Sequence, residues 1–330
     1  MLATVIVTSI SAPNAVMRAI AEGCQKNGMR FVVIGDHKSP ATFDLPDADF
    51  FGVQAQLETS FRYAKLCPLD HYARKNIGYL LAIAAKTPRI IETDDDNFPR
   101  EAFFVERCRE QDVAMFKRPG WLNVYRHFTE ACIWPRGLPL DHIHGELPEA
   151  VESAEKVTCP VQQGLADANP DVDAVYRLVF PLPQSFAEKR IALGRGVWCP
   201  FNSQNTTWWP EAYPLMYLPA YCSFRMTDIW RSFVAQRIMW ENSWSLLFHE
   251  ATVWQDRNEH NLMRDFADEL PGYMHNDRIS KTLEDLSLAS GVAKIPDNLR
   301  QCYKALVSMD LVAREELALL DAWLEDLSDV

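Results

Sequence analysis

The chain has 330 residues, 48% hydrophobic and 24% charged, with 45 acidic side chains against 33 lysines and arginines. That is the composition of a globular protein with ample core, long enough for one elaborate domain or two ordinary ones. A formal net charge of −12 argues against a nucleic-acid backbone as the main partner, which needs a basic face, but leaves room for a small phosphorylated molecule held by a few cations.

Residues 2–7 (LATVIV) form a continuous apolar, β-branched run, the pattern of a strand buried on both faces of a parallel sheet. Residues 13–26 follow at helical spacing, with Val16, Met17, Ile20 and Cys24 on one face, Pro13 in the first turn and Asn27-Gly28 as the stop. RFVVIGD (30–36) is the next strand and closes a βαβ unit. Another short strand is predicted within 50–57. A helix over 72–86 places Ile77, Leu80, Leu81 and Ala84 on one face, and Thr87-Pro88 ends it. PRIIET (88–93) is a strand that runs straight into Asp94, Asp95 and Asp96. This alternation predicts a mostly parallel central sheet with right-handed crossovers.

Regularity falls off between 100 and 160, where 146–156 (ELPEAVESAEK) reads as a surface connection. The stretch 157–235, rich in aromatics and prolines, reads as strands and loops. A helix is predicted over 226–248, with Ile229, Phe233 and Ile238 inward, and a helical pattern fills 278–328. The eight cysteines include no CxxC pair, which fits reduced thiols and speaks against a zinc site. The N-terminus has no basic leader, and no window holds the roughly 18–20 apolar residues of a membrane span. A soluble cytoplasmic protein is expected.

In an α/β sheet, ligands collect at the carboxyl ends of the strands. Thr8-Ser9, Asp36 and Asp94-Asp95-Asp96 fall at three such ends. On an extended segment Asp94 and Asp96 point the same way and converge. Two converging carboxylates suit a hard divalent cation, Mn²⁺ or Mg²⁺, shared with a diphosphate, and that cation would offset the repulsion among three adjacent like charges. The other reading is a solvated acidic turn. Arg74, Lys75 and Asn76, near the start of the preceding helix, either meet phosphates beside the metal or form an exposed helix start. Asp228, at the start of its helix, is a candidate base for an acceptor hydroxyl, or a helix cap. Asp167, Asp171 and Asp173 form a second acidic cluster around Asn169-Pro170, where a surface turn is expected. Asn202, Gln204 and Asn205 offer amides to sugar hydroxyls, while Trp198, Trp208 and Trp209 either stack on a sugar face or fill the core.

The blocks TSI (8–10), VVIGDHKSP (32–40), ARKNIGYLLAIAAKTPRIIETDDDN (73–97), CPFNSQNTTWW (199–209) and FRMTDIWRSFVAQRIMWE (224–241) resemble, in the same order, the STELLO family of glycosyltransferases. More distantly, QQGLADANPDVDAVYRL (162–178) and TDIW (227–230) are similar to segments of the reversibly glycosylated polypeptides, the UDP-arabinopyranose mutases. The resemblance implies a GT-A-like nucleotide-binding α/β sandwich over 1–265, with a nucleotide half (1–100), a sugar and acceptor half (157–265) and a helical C-terminal extension (266–330). It implies a metal-dependent glycosyltransferase that takes a nucleoside diphosphate sugar, foremost a UDP-sugar, and passes the sugar to a glycan or other hydroxyl acceptor. The alternatives are a nucleotide-sugar mutase, with Arg136, Arg177 or Arg195 accepting the sugar, and a non-catalytic nucleotide-sugar-binding partner of glycan synthesis.

By that resemblance, Thr8 and Ser9 line the nucleotide cleft and Asp36 approaches the uracil or ribose. Arg74, Lys75 and Asn76 contact the base or phosphates. Asp94 and Asp96 face the metal and ribose, with Asp95 between them. Asp171 and Asp173 lie near the sugar, and His249 or His260 completes the metal shell. Family members carry a membrane anchor and further regions. Here a free-standing soluble version is expected, with C-terminal helices able to cover the domain or to join two chains.

Overall fold

The structure, a computed structural model, describes residues 2–256 and 261–330, with the backbone alone for 151–153; His260 lies outside the described residues. The first crossover unit is β1 (Thr4–Thr8), α1 (Ala15–Lys26) and β2 (Arg30–Ile34). The Asn14 side chain caps α1 by accepting the Met17 N–H, so Pro13 stands before the cap and not in the first turn. The helix closes at Asn27, and Gly28 follows at φ +64°, a conformation that favours glycine.

β3 (Asp49–Phe51) adds a third parallel strand, and a short helix, Val53–Leu57, takes the rest of the predicted strand region. α2 (Lys75–Ala84), entered through a 3₁₀ turn at Tyr72–Arg74, crosses back to β4 (Ile90–Thr93). It is buried on most sides: Asn76, Tyr79 and Ala82 lie inside with Ile77 and Leu80, whereas Ala84 is exposed. Gly78 allows this close seating, since a Cβ there would stand 2.7 Å from Ile6 and 2.9 Å from Ile34.

β5 (Asn97–Pro99), β6 (Glu110–Phe116), β7 (Val151–Thr158), β8 (Val161–Asp167), β9 (Arg190–Leu193), β10 (Asn205–Trp208) and β11 (Leu246–Gln255) complete an eleven-stranded sheet. The order is β3-β2-β1-β4-β10-β8-β11-β9-β6-β7, with β5 paired to β11. β3, β2, β1 and β4 are parallel. β10 runs antiparallel between β4 and β8. Beyond it, parallel pairs (β8 with β11, β9 with β6) alternate with antiparallel ones. The sheet is therefore mixed, a correction to the mostly parallel expectation. The parallel block stops where helical crossovers stop: a turn, not a helix, follows β4. β7 covers much of the stretch expected as a surface connection. It is an edge strand paired only to β6, which tolerates its charged sequence.

α3 (Thr227–Trp240) stops short of the predicted 248, because the chain turns at Ser243 (φ +56°) and Leu246 enters β11. α4 (Leu262–Glu284), α5 (Ile295–Ser308) and α6 (Glu316–Ser328) end the chain. Successive β1 residues face opposite layers. Val5 and Val7 meet Val16, Met17 and Ile20 of α1, whereas Ile6 joins Ile77 and Leu80 of α2. The second core also takes Trp230 of α3, Leu283 of α4, Leu299 of α5 and Trp323 of α6, so the C-terminal helices share it with the sheet. Among the described residues no helix is long and apolar enough to cross a membrane.

Candidate functional site

A cleft of about 790 Å³ opens at the carboxyl ends of β1, β2 and β4. Thr8 and Ser9 enter it from β1, Asp36 from β2, and Asp94, Asp95 and Asp96 from β4. The opposite wall comes from Arg136, Asp171, Gln204 and Asp228, and the start of α4 closes one side. Nine aspartates and five lysines or arginines line the cleft, so its walls are acidic on balance.

The three consecutive aspartates do not continue the strand. They form the turn between β4 and β5, where the Asn97 N–H reaches the Asp94 carbonyl at 3.4 Å. Each carboxylate has a different partner. Asp94 Oδ1 accepts from Lys75 Nζ at 2.9 Å and from the Tyr72 hydroxyl at 2.7 Å. Asp95 accepts from the Ser9 hydroxyl at 2.5 Å, and its carbonyl takes the Asn14 amide at 2.7 Å. Asp96 Oδ1 accepts from Gln255 Nε2 at 3.0 Å. Burial, followed by the neighbouring Asp94 charge among the raising influences, lifts the Asp95 carboxyl above the ordinary range. The repulsion is thus offset in part from within the protein, first by Lys75, and the three carboxylates lie half-buried on the cleft wall.

The cations of the preceding segment are not an exposed helix start. Arg74 is 1% exposed and lines the cleft, but its guanidinium donates to Gln56 Oε1 and the Cys67 carbonyl. Lys75 is fully buried behind Asp94. Asn76 turns away from the cleft, donating to the Tyr63 hydroxyl and the Leu218 carbonyl. Asp36 lines the cleft, yet both its oxygens hold backbone: Oδ1 takes the N–H groups of His37 and Asp70, and Oδ2 that of His71.

On the other wall, Arg136 joins two carboxylates. Its Nε and Nη2 donate to Asp171 at 2.8 and 2.9 Å, and Nη2 also donates to Asp228 at 2.9 and 3.0 Å. The Ser203 N–H and hydroxyl complete the shell of Asp228 at 3.3 Å each. Against burial, the Arg136 guanidinium holds the Asp228 carboxyl down to about 2, and the two carboxylates hold the guanidinium above its ordinary value. Asp228 lies inside the first turn of α3, and its side chain does not cap the helix. Tyr72 bridges the two walls, since its hydroxyl meets Asp94 on one side and Ser203 Oγ on the other, both at 2.7 Å.

The structure separates the remaining candidates. Asn202 donates to Asp171, and Gln204 lines the cleft. Asp173 is buried, caps the helix Ala174–Val179 and accepts from Trp134 Nε1. Asn205 bonds the Leu165 carbonyl and Thr252 within the sheet. Asp167 pairs with Arg100, so the second acidic cluster is not a surface turn. Trp198, Trp208 and Trp209 are all buried in the interior. His249 is buried in β11, with Nδ1 on the Glu250 carbonyl, and does not line the cleft. Among the described residues no three His, Cys, Asp or Glu side chains gather as the ligands of one metal ion. Of the three arginines considered as sugar acceptors, only Arg136 lines the cleft, and its guanidinium is already bound to Asp171 and Asp228.

Tyr72, Ser203 and His71 escape a sequence reading. Each is an ordinary residue in a loop or helix start, and only tertiary contacts, 22 positions for Tyr72 to Asp94, 35 for His71 to Asp36 and 131 for Tyr72 to Ser203, reveal a role.

A family model of the STELLO glycosyltransferases matches residues 225–330. Two Arabidopsis thaliana proteins, named Probable glycosyltransferase STELLO2 and Probable glycosyltransferase STELLO1, are 28% and 26% identical to this chain over 91% of its length. The chain is a distant homologue of the STELLO glycosyltransferases over most of its length. It spans 41% of the length of these curated relatives.

Proposed function

We propose that this chain is a GT-A-like glycosyltransferase that transfers a sugar from a nucleoside diphosphate sugar, foremost a UDP-sugar, to a hydroxyl acceptor. The observation that carries the reading is the aspartate turn at the carboxyl end of β4, set in a cleft large enough for a nucleotide sugar, in a chain distantly similar to two proteins named probable glycosyltransferases.

The donor set suits a hard cation. Asp94 and Asp96 bring carboxylate oxygens to one turn, and the nine aspartates of the cleft outnumber its five lysines and arginines even with Lys75 paired to Asp94 behind them. An incoming diphosphate therefore meets a surface of its own sign unless a divalent ion accompanies it. We assign Mn²⁺ or Mg²⁺ to Asp94 and Asp96, which would hold the ion together with the bound diphosphate. When bound, the ion stabilises the leaving diphosphate.

Asp228 is the carboxylate we assign to the acceptor. As the acceptor oxygen bonds the anomeric carbon and the bond to the diphosphate breaks, the hydroxyl proton passes to Asp228. Arg136 makes Asp228 a weak base, so it takes that proton late, once bond formation has made the hydroxyl acidic. The Tyr72 hydroxyl, which donates to Asp94 and accepts from Ser203 Oγ, and the Ser203 N–H, which donates to Asp228, link the donor and acceptor walls.

The test is calorimetric titration of UDP and GDP with and without Mn²⁺, repeated on the double variant Asp94→Ala with Asp96→Ala. The expected result is Mn²⁺-dependent binding of one nucleotide, lost in the double variant. Mn²⁺-dependent binding with no turnover of any sugar donor would favour a non-catalytic partner. Absence of binding under every condition would sink the reading.

A further inference from the structure

Asp36 spends three of the acceptor positions of its two oxygens on backbone N–H groups. What it holds in place is the segment carrying His71, and that imidazole lines the cleft. Nδ1 of His71 accepts the Ala73 N–H at 3.0 Å. A ring nitrogen that accepts carries no proton, so the neutral ring bears its proton on Nε2. Burial disfavours a second proton and lowers the imidazole below its ordinary range. Among the described residues nothing bonds Nε2. Phe224, half-exposed on the cleft, stands edge-on to the ring at 5.7 Å and offers a flat apolar face.

We propose that His71 reads the base of the bound nucleotide: its Nε2–H donates to the carbonyl oxygen at C4 of uracil or C6 of guanine, where cytosine and adenine carry an amino group, while Phe224 packs on the base, so uracil or guanine is taken over cytosine or adenine. The inference rests on the nucleotide reading above. A neutral donor suits a neutral carbonyl, whereas phosphates would follow the cation at the aspartate turn. The spacing agrees. β2, which holds the His71 segment through Asp36, is separated from β4 by β1 alone, which sets the two strand ends about 10 Å apart. That is on the order of the distance from a diphosphate across a ribose to the base.

The experiment measures binding of UDP, CDP, GDP and ADP, each with Mn²⁺, to the full chain and to His71→Asn. Asparagine keeps an oxygen for the Ala73 N–H and removes the Nε2–H arm. The wild type is expected to favour the oxo base over its amino counterpart by about tenfold or more, the value of one such hydrogen bond. In His71→Asn that preference should fall to within about threefold, with the affinity for the amino base and the thermal midpoint unchanged. His71→Gln, which returns an N–H near the Nε2 position, should restore part of it. An unchanged preference in both variants, or an equal loss of all four nucleotides, overturns the base assignment while leaving the nucleotide reading intact. A wild type that binds none of the four overturns the nucleotide reading, and the base assignment with it.

Discussion

The Lys75 ammonium meets the Asp94 carboxylate at 2.9 Å, at the end of a lysine side chain with no exposed surface. Lys75 also donates to the Thr93 carbonyl at 2.6 Å and the Tyr72 hydroxyl at 2.7 Å. A buried ammonium is tolerated only when paired, and a row of three carboxylates at a strand end needs a positive neighbour. Each side of this contact answers the other's electrostatic problem before any ligand arrives.

Lys75→Met retains most of the apolar stem and removes the charge. Asp94 is 28% exposed and keeps Tyr72, so the expected loss of stability is moderate, roughly 1–3 kcal/mol. Mn²⁺ should then raise the thermal midpoint more in the variant than in the wild type, because the cation takes over the missing charge. Thermal scans with and without Mn²⁺ decide it. An unaltered midpoint without metal would mean that the pair does not hold the turn.

Glu92 and Arg231 lie under the cleft with 0% and 1% of their side chains exposed, 2.9 Å apart. Trp208 Nε1 donates to the other Glu92 oxygen at 2.8 Å, and the guanidinium also lies over the Trp208 ring at 5.1 Å. Glu92→Gln leaves a buried cation without its counter-charge and should cost about 3–5 kcal/mol in urea unfolding. Adding Arg231→Met to it should return much of that loss. Losses that simply add would show the two residues acting independently.

These contacts mark how far the sequence was readable. The βαβ unit, α2 and β4 are local: apolar runs, helical spacing and a Gly stop write each one within a dozen residues. The approach of Thr8, Ser9, Asp36 and the aspartates to one cleft followed from parallel strands ending on the same side. The mixed sheet was not readable, because β10 and β11 are inserted beside strands far away in the chain. Nor was the role of Glu92, one residue in an apolar strand whose partner sits on a helix 139 positions away. The amides and tryptophans of 198–209 suggested a polyol surface, but most are consumed by packing and by sheet hydrogen bonds. A sequence shows which residues carry polarity, not which polar groups are already satisfied.

Asp228→Asn should leave nucleotide affinity within about threefold and slow sugar transfer by roughly 10²–10⁴, the usual contribution of a positioned base. Asn keeps an oxygen for Arg136, so the wall stays assembled. Parallel measurement of Kd for the nucleotide and kcat for donor consumption separates the two effects. Equal kcat in variant and wild type would remove Asp228 from the acceptor step.

Glu316 supplies a test of the C-terminal segment that needs no substrate. It sits in the first turn of α6, wholly buried, and accepts from the Tyr217 hydroxyl and from the N–H groups of Ala220 (2.9 Å) and Tyr221 (2.6 Å). Burial outweighs those three donors and pushes its carboxyl from 4.5 up to about 7. The folded protein therefore binds this proton more tightly than the unfolded chain does. The contribution is fully present below pH 4.5 and is lost as pH rises through about 7, amounting to roughly 3 kcal/mol across the window. Burial also lifts Asp173 to about 7, so the wild-type profile mixes two groups, and only a difference isolates one. Glu316→Gln mimics the protonated form. It should match the wild type in urea at pH 4.5 and exceed it at pH 8, with the gap opening between those values. A gap of one size at both ends of the range would mean that Glu316 is ionised throughout, held by its donors against the cost of burial.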